Sequence, residues 1–236
     1  MGQIKILLWD IDGTILNFIE AEKAAIRTGF RRFEMGECTD EMLSVYSKIN
    51  QEYWMALEAG TYTKQEILIK RFEDFFSKYN LDDYSAQDFN SHYQVDLGDT
   101  ICFNDNSFEL LCALKGQGYR QFAVTNGTVI AQKKKLSASG LDKVFEYCYI
   151  SDELGVEKPN KGFFDKMFAH LRSVGCEYDR DEIMIIGDSL TSDIAGGNNA
   201  DILTCWYNPE KKQCDRDVHI DYEISNLEEI MGIIHR

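Results

Sequence analysis

Short apolar runs set at intervals among helix-length segments constrain this chain more than any other feature. Residues 4–9, 119–124, 145–150, 183–186 and 202–207 each have the length and content of a buried strand. From residue 107 onward they alternate with helical patterns at 108–115, 129–137, 161–172 and 190–198, and a short strand near Tyr222 and a helix from Leu227 follow. Such alternation predicts an α/β fold with a doubly wound, Rossmann-like parallel sheet. The first run stands apart from the others. Helical spacing fills the interval after it: a helix over 21–33, one opened by Thr39 and stopped by Gly60, one opened by Thr63-Lys64-Gln65-Glu66 in capping-box form, and one from Ser85. The expected organisation is an α/β core of residues 1–17 and 98–236 with an inserted all-helical domain at 18–97.

Composition excludes several classes of function. With 236 residues, 44% apolar content and only two prolines, the chain can bury a full α/β core and a smaller domain. No apolar run approaches the ~20 residues of a membrane span, and no secretory leader is expected. The seven cysteines include no C-x-x-C pair, and the four histidines show no metal-binding spacing, which argues against a disulfide framework or zinc site. Buried reduced thiols in a cytoplasmic protein are expected instead. A net charge of −15 speaks against a nucleic-acid polymer or an anionic membrane as partner. A small phosphorylated substrate remains admissible if a divalent cation and a lysine meet it locally.

The chemistry gathers where strands end. Asp10-Ile11-Asp12-Gly13-Thr14 leaves the first strand with two carboxylates at i and i+2, at the edge where open α/β sheets bind ligands. Close carboxylates call for a cation, a shared proton or both. Thr125-Asn126-Gly127 ends the next strand as a phosphate cradle or an ordinary helix cap. Lys158, ahead of Pro159, can reach a phosphoryl oxygen or stand solvated. Gly187-Asp188-Ser189-Leu190-Thr191-Ser192-Asp193 sets Asp188 to ligate a hard cation, with Asp193 bonding a ligand, pairing with Lys158 or facing a helix dipole. Gly196-Gly197 suits close packing of helix on sheet. Lys133-Lys134-Lys135 reads as a solvated helix face.

The ordered set D-x-D-G-T, T-N-G, E-K-P and G-D-S-x-x-S-D resembles the haloacid dehalogenase superfamily, with the helical insertion matching its C1 cap class. The resemblance implies that Asp10 is the nucleophile and Asp12 the general acid and base. It implies Mg²⁺ held by Asp10, Asp188 and the Asp12 carbonyl, phosphate contacts from Thr125, Asn126 and Lys158, and support from Asp193. Asp12 favours a phosphatase over a dehalogenase, which has no leaving oxygen to protonate. The stretches at 48–54 and 187–209 resemble the bacterial pyrimidine 5′-nucleotidase branch, with a departure at Asp201, where that branch implies glycine, and another in the residue after Asp12. The substrate expected from the resemblance is a pyrimidine nucleoside monophosphate. Sugar-phosphate phosphatase, phosphomutase and an idle phosphate-binding module stay open. Phe18, Tyr53 and Trp54 could stack on a base or simply pack in the helical domain.

Overall fold

The computed structural model describes residues 3–176 and 178–235; Met1, Gly2, Glu177 and Arg236, which belong to the expected core ranges, lie outside the described residues. In chain order the main elements are β1 (Ile6–Trp9), α1 (Phe18–Arg32), α2 (Asp40–Glu58), α3 (Lys64–Lys78), α4 (Ala86–Asp96), α5 (Ser107–Gly116), β2 (Arg120–Thr125), α6 (Val129–Ser139), β3 (Tyr147–Ile150), α7 (Ser151–Leu154), α8 (Lys161–Ser173), β4 (Ile183–Gly187), α9 (Ala195–Asn199), β5 (Leu203–Tyr207), β6 (Tyr222–Ile224) and α10 (Ile230–Ile234).

All six strands run parallel in the order β3-β2-β1-β4-β5-β6, which makes the fold the expected parallel α/β sheet. The first strand in sequence lies inside the sheet between β2 and β4, so every residue of β1 is buried. That explains its unbroken apolar run. Trp9 is level with Ala123 and with Ile186. The residues just beyond these strands therefore emerge side by side at one edge. Alternation does the rest: Ile6, Leu8, Phe122, Val124, Ile183 and Ile185 share a face with Phe163, Phe164, Met167 and Leu171 of α8. Gly197 of α9 lies so close to the sheet that a Cβ there would come within 2.6 Å of Thr204 and 2.7 Å of Ile185.

The chain divides into two compact units, one of Met1–Asn17, Phe103–Val129 and Ser139–Arg236, the other of Phe18–Cys102 and Ile130–Ala138. Thr39, Thr63 and Ser85 cap α2, α3 and α4 as their sequences imply, and Thr63 and Glu66 complete a capping box. Phe30, Tyr46, Phe72, Phe75, Phe76, Phe89 and Tyr93 build the helical unit's core. Most of α6 belongs to this unit, unlike the expected boundary at 97/98. Ala131 joins the helical core, and Lys134 Nζ donates to Val95 O at 3.0 Å and pairs with Asp99 at 2.5 Å. The lysine run is a solvated face only in part, with Lys133 exposed and Lys134 half-buried. Lys135 is buried, its ammonium 5.2 Å from the centre of the Phe18 ring.

Within the helical unit a chain of polar side chains crosses the apolar interior. Arg71 NH1 donates to Asn50 Oδ1 at 2.7 Å and NH2 to Asn90 Oδ1 at 3.0 Å. Asn50 Nδ2 donates in turn to Glu22 Oε2 at 2.7 Å, and Gln94 to Asn90 at 3.0 Å. Arg71 also lies over the rings of Phe72 and Tyr93. All seven cysteines are free thiols; Cys176 and Cys205 are buried, whereas Cys102, Cys112 and Cys214 are exposed, so burial does not account for every one.

Candidate active site

The backbone N–H of Asp10 donates to Ile186 O at 2.9 Å, which extends the sheet by one rung and holds the residue at the strand end. The chain then turns tightly: Gly13 N–H donates to Leu16 O at 2.9 Å and Leu16 N–H to Ile11 O at 2.8 Å. Gly13 has φ +100°, and a Cβ there would lie 2.7 Å from an Asp188 carboxylate oxygen. Glycine is required twice over, by conformation and by space. Thr14 Oγ1 donates to Asp188 Oδ1 at 3.2 Å across the same gap. Asp12 is half-buried within the turn.

Lys158 organises the centre of the site. Its main chain is clamped by Asn126, whose amide donates to Lys158 O at 2.8 Å and accepts from Lys158 N–H at 2.8 Å. Its ammonium is fully buried and reaches Asp10 Oδ1 at 2.9 Å, Asp193 Oδ1 at 2.6 Å and Val124 O at 2.8 Å. An ammonium has three donors. All three are in use, so a phosphoryl oxygen binding Lys158 must replace one of these acceptors. The Asn126 side chain is spent on positioning Lys158, and the phosphate contact expected there is one of the backbone near Asn126. Thr125 Oγ1 accepts from Gly127 N–H at 3.0 Å and shapes the turn after β2.

Asp193 sits on a π-helical turn, Leu190–Ile194, in which Ile194 N–H reaches back to Ser189 O at 3.1 Å. The turn buries Asp193, where Oδ2 also accepts from Ser189 N–H at 3.1 Å. A Cβ at Gly187 would lie 2.2 Å from that carboxylate, so glycine opens its berth. Pairing with Lys158 is thus the arrangement that forms. Trp206 is a contributor that sequence inspection gave no role. Its indole N–H donates to Asp188 O at 3.0 Å, and the only available sign was a tryptophan in a buried strand whose N–H needs a partner.

The carboxylates of Asp10, Asp188 and Asp193 place one oxygen each within 4.8 Å of one another. One ammonium against three acids leaves surplus negative charge. Burial pushes the Asp10 carboxyl well above its ordinary range; the attraction of Lys158 opposes this, and the charges of Asp193 and Asp188 reinforce it. The packed surroundings of Asp188, then the charge of Asp193, push its carboxyl up to about 7. Asp188 is nevertheless open to solvent, which tempers that rise. For Lys158, burial works against the charge, but Asp10 and Asp193 outweigh it and hold the ammonium protonated. Hard oxygen donors with surplus charge fit a divalent cation of the magnesium type. Asp193 is occupied by Lys158 and Ser189, whereas Lys158 takes only Oδ1 of Asp10, so Asp10 and Asp188 are the acids able to hold one.

The remaining expected contacts belong to the helical unit. Phe18 packs against its core, Tyr53 OH donates to Asp74 Oδ2 at 2.7 Å, and Trp54 is half-buried. The described contacts of Phe18 and Tyr53, a packing contact and a hydrogen bond, lie within that unit. A cavity of about 440 Å³ lies at the amino edge of the sheet, around Ile6, Arg172, Arg180 and Ile183, away from the carboxylates. Chemistry, not cavity size, identifies the site.

The sheet carries aspartates and a buried lysine at its carboxyl edge, and the pattern of the haloacid dehalogenase-like hydrolases matches residues 7–207. The chain belongs to that family and is an enzyme. It is 34% identical to the HAD-hydrolase YfnB of Bacillus subtilis over 235 residues, covering 100% of this chain and 97% of YfnB. A crystal structure of YfnB bound to magnesium superposes with a TM-score of 0.92 at 33% identity, covering 100% of both chains. Pyrimidine 5′-nucleotidase PynA of Streptococcus pneumoniae is 31% identical, over 98% of this chain and 95% of its own length. Pyrimidine 5′-nucleotidase YjjG of Escherichia coli is 27% identical, over 97% of this chain and 96% of its own. Among the described residues no helix is long and apolar enough to cross a membrane.

Proposed function

We propose that this enzyme is a Mg²⁺-dependent phosphomonoester hydrolase that acts through an aspartyl-phosphate on Asp10, with pyrimidine nucleoside monophosphates as its substrate class and residues 18–97 as its C1 cap. The observation that carries the chemistry is the Asp10 carboxylate, fixed at the strand end with Oδ1 on the Lys158 ammonium and with a carboxylate oxygen within 4.8 Å of one from Asp188 and one from Asp193. The substrate class is supported by the full-length relatives PynA and YjjG.

Asp10 attacks phosphorus as the ester oxygen departs, and Asp12 gives that oxygen its proton. Asp12 then takes a proton from the water that hydrolyses the acyl phosphate. Lys158 neutralises charge on the phosphoryl oxygens once one of its acceptors yields, and the turn after Thr125 leaves the sheet at the same edge. Asp193 keeps the ammonium aimed. A magnesium ion on Asp10, Asp188 and the Asp12 carbonyl would draw charge from the phosphoryl group and keep Asp10 ionised. The test is phosphate release with Mg²⁺ across nucleoside monophosphates and sugar phosphates, with Asp10→Asn as control. Turnover that favours pyrimidine nucleotides and vanishes in the variant is expected. Sugar phosphates as best substrates would overturn the substrate class alone; retained activity in Asp10→Asn would overturn the mechanism.

A further inference from the structure

Resting on the phosphatase reading, we infer that Asn104 is a positioning residue for proton transfer by Asp12. Asn104 lies 92 residues after Asp12 in sequence, directly after Phe103, which forms an isolated antiparallel bridge with Leu16. Its amide nitrogen donates to Gly13 O at 3.1 Å and to Thr14 O at 2.9 Å. Its backbone N–H donates to Ile15 O at 2.9 Å, and Ser107 Oγ donates to the same carbonyl at 3.0 Å. Three consecutive carbonyls after Asp12 are thus satisfied, and Asn104 supplies three of the four bonds.

This matters because the sheet no longer holds the chain there. The Asp10 N–H makes the rung to Ile186, and the turn that follows is closed by Gly13–Leu16 and Leu16–Ile11 bonds. Asp12 lies between these fixed points. Asp12 is carried by this turn, and the Asn104 amide pins the two peptides that begin at Gly13 and Thr14, immediately after it, so it holds the segment from which the Asp12 side chain projects. An NH₂ group meets two carbonyls at once; an isosteric carboxylate has no hydrogen to donate and would repel both.

In the step concerned, an Asp10 oxygen forms its bond to phosphorus while the phosphorus–ester oxygen bond breaks. The electron pair leaves with the ester oxygen, which takes the Asp12 proton and departs as an alcohol; Asp12 becomes a carboxylate. Misplacing Asp12 should therefore harm substrates whose leaving group needs that proton and spare those whose leaving group does not.

The measurement is kcat/KM, which covers events only through loss of the leaving group, for wild type, Asn104→Asp and Asn104→Ser on dUMP and on p-nitrophenyl phosphate. The ratio of the two within one preparation is independent of the fraction folded. We expect a fall on the order of 10- to 100-fold with dUMP and under about threefold with p-nitrophenyl phosphate, with Asn104→Ser, which keeps one donor, milder than Asn104→Asp. Equal losses on both esters in both variants would make Asn104 merely structural and overturn the inference while leaving the phosphatase reading intact. A wild-type enzyme that hydrolysed neither ester would overturn the phosphatase reading, and this inference with it.

Discussion

Each of the two units buries charge, but in opposite ways. In the helical unit Glu22 and Arg71 are joined through Asn50, with Asn90 and Gln94 completing the chain: one acid, one base and amides that close the network. In the sheet unit Asp10 and Asp193 hold the ammonium of Lys158, a third acid, Asp188, lies close to both carboxylates, and Asp188 opens to solvent. The first arrangement is balanced and complete, and it specifies how helices pack. The second carries surplus charge of one sign with an oxygen left available, which is what a cation and a phosphoryl group require. Buried charge alone does not mark a functional site; an uncompensated remainder with an opening does.

The largest effect should come from breaking the balanced network. Arg71→Leu leaves Glu22 without its opposite charge and removes the Arg71 donors from Asn50 Oδ1 and Asn90 Oδ1, the latter keeping Gln94. Denaturant unfolding should show a loss of about 3–5 kcal/mol, and adding Glu22→Gln should recover part of it. A loss under about 1 kcal/mol would mean the network is not the closed structural device described. Lys158→Met should act differently. Catalysis should fall on the order of 100-fold or more, while the stability of the metal-free protein falls by less than in Arg71→Leu, because adjacent carboxyls can protonate and share hydrogen bonds. Full activity in Lys158→Met would remove the ammonium from the mechanism.

The pH response should separate the two regions further. Asp188 has a raised carboxyl in the folded state, so between its unfolded value of about 4 and about 7 the unfolded chain has already released a proton that the native protein keeps. Its contribution to the stability of the metal-free protein is therefore full at low pH and lost as pH rises through that window. Magnesium requires the deprotonated form, so the rise in Tm on adding Mg²⁺ should grow from pH 5 to pH 8. A Mg²⁺ increment that is flat with pH, or unchanged in Asp188→Asn, would contradict the assignment of Asp188 as a ligand. The smallest effect concerns Asp201, where φ is +55°. Asp201→Gly should stabilise by up to about 1 kcal/mol in thermal unfolding, because glycine adopts that conformation without a Cβ penalty. Asp201 is thus a residue occupying a glycine-type backbone position, which explains how the departure from the nucleotidase branch is accommodated.

Much of the site was legible because strand ends and chemistry coincide in this fold. An apolar run followed by Asp10-Ile11-Asp12-Gly13 and another followed by Gly187-Asp188 point to the same sheet edge once both strands are known to be parallel and level. Helix starts at Thr39, Thr63 and Ser85 were equally legible, since a cap is a local hydrogen bond. Glycine stands at 13 and 187 in the sequence, but the contacts that require it at 187 do not show there. Only the tertiary structure decided that Gly13 abuts Asp188, that Asn126 is a clamp on Lys158, that Lys135 is buried against Phe18, and that α6 packs with the inserted helices. Each of these joins residues far apart in the chain. Local propensity and periodicity describe how a segment is shaped and which side is apolar, while the partner that satisfies a given N–H, carbonyl or charge is chosen by packing across the whole chain.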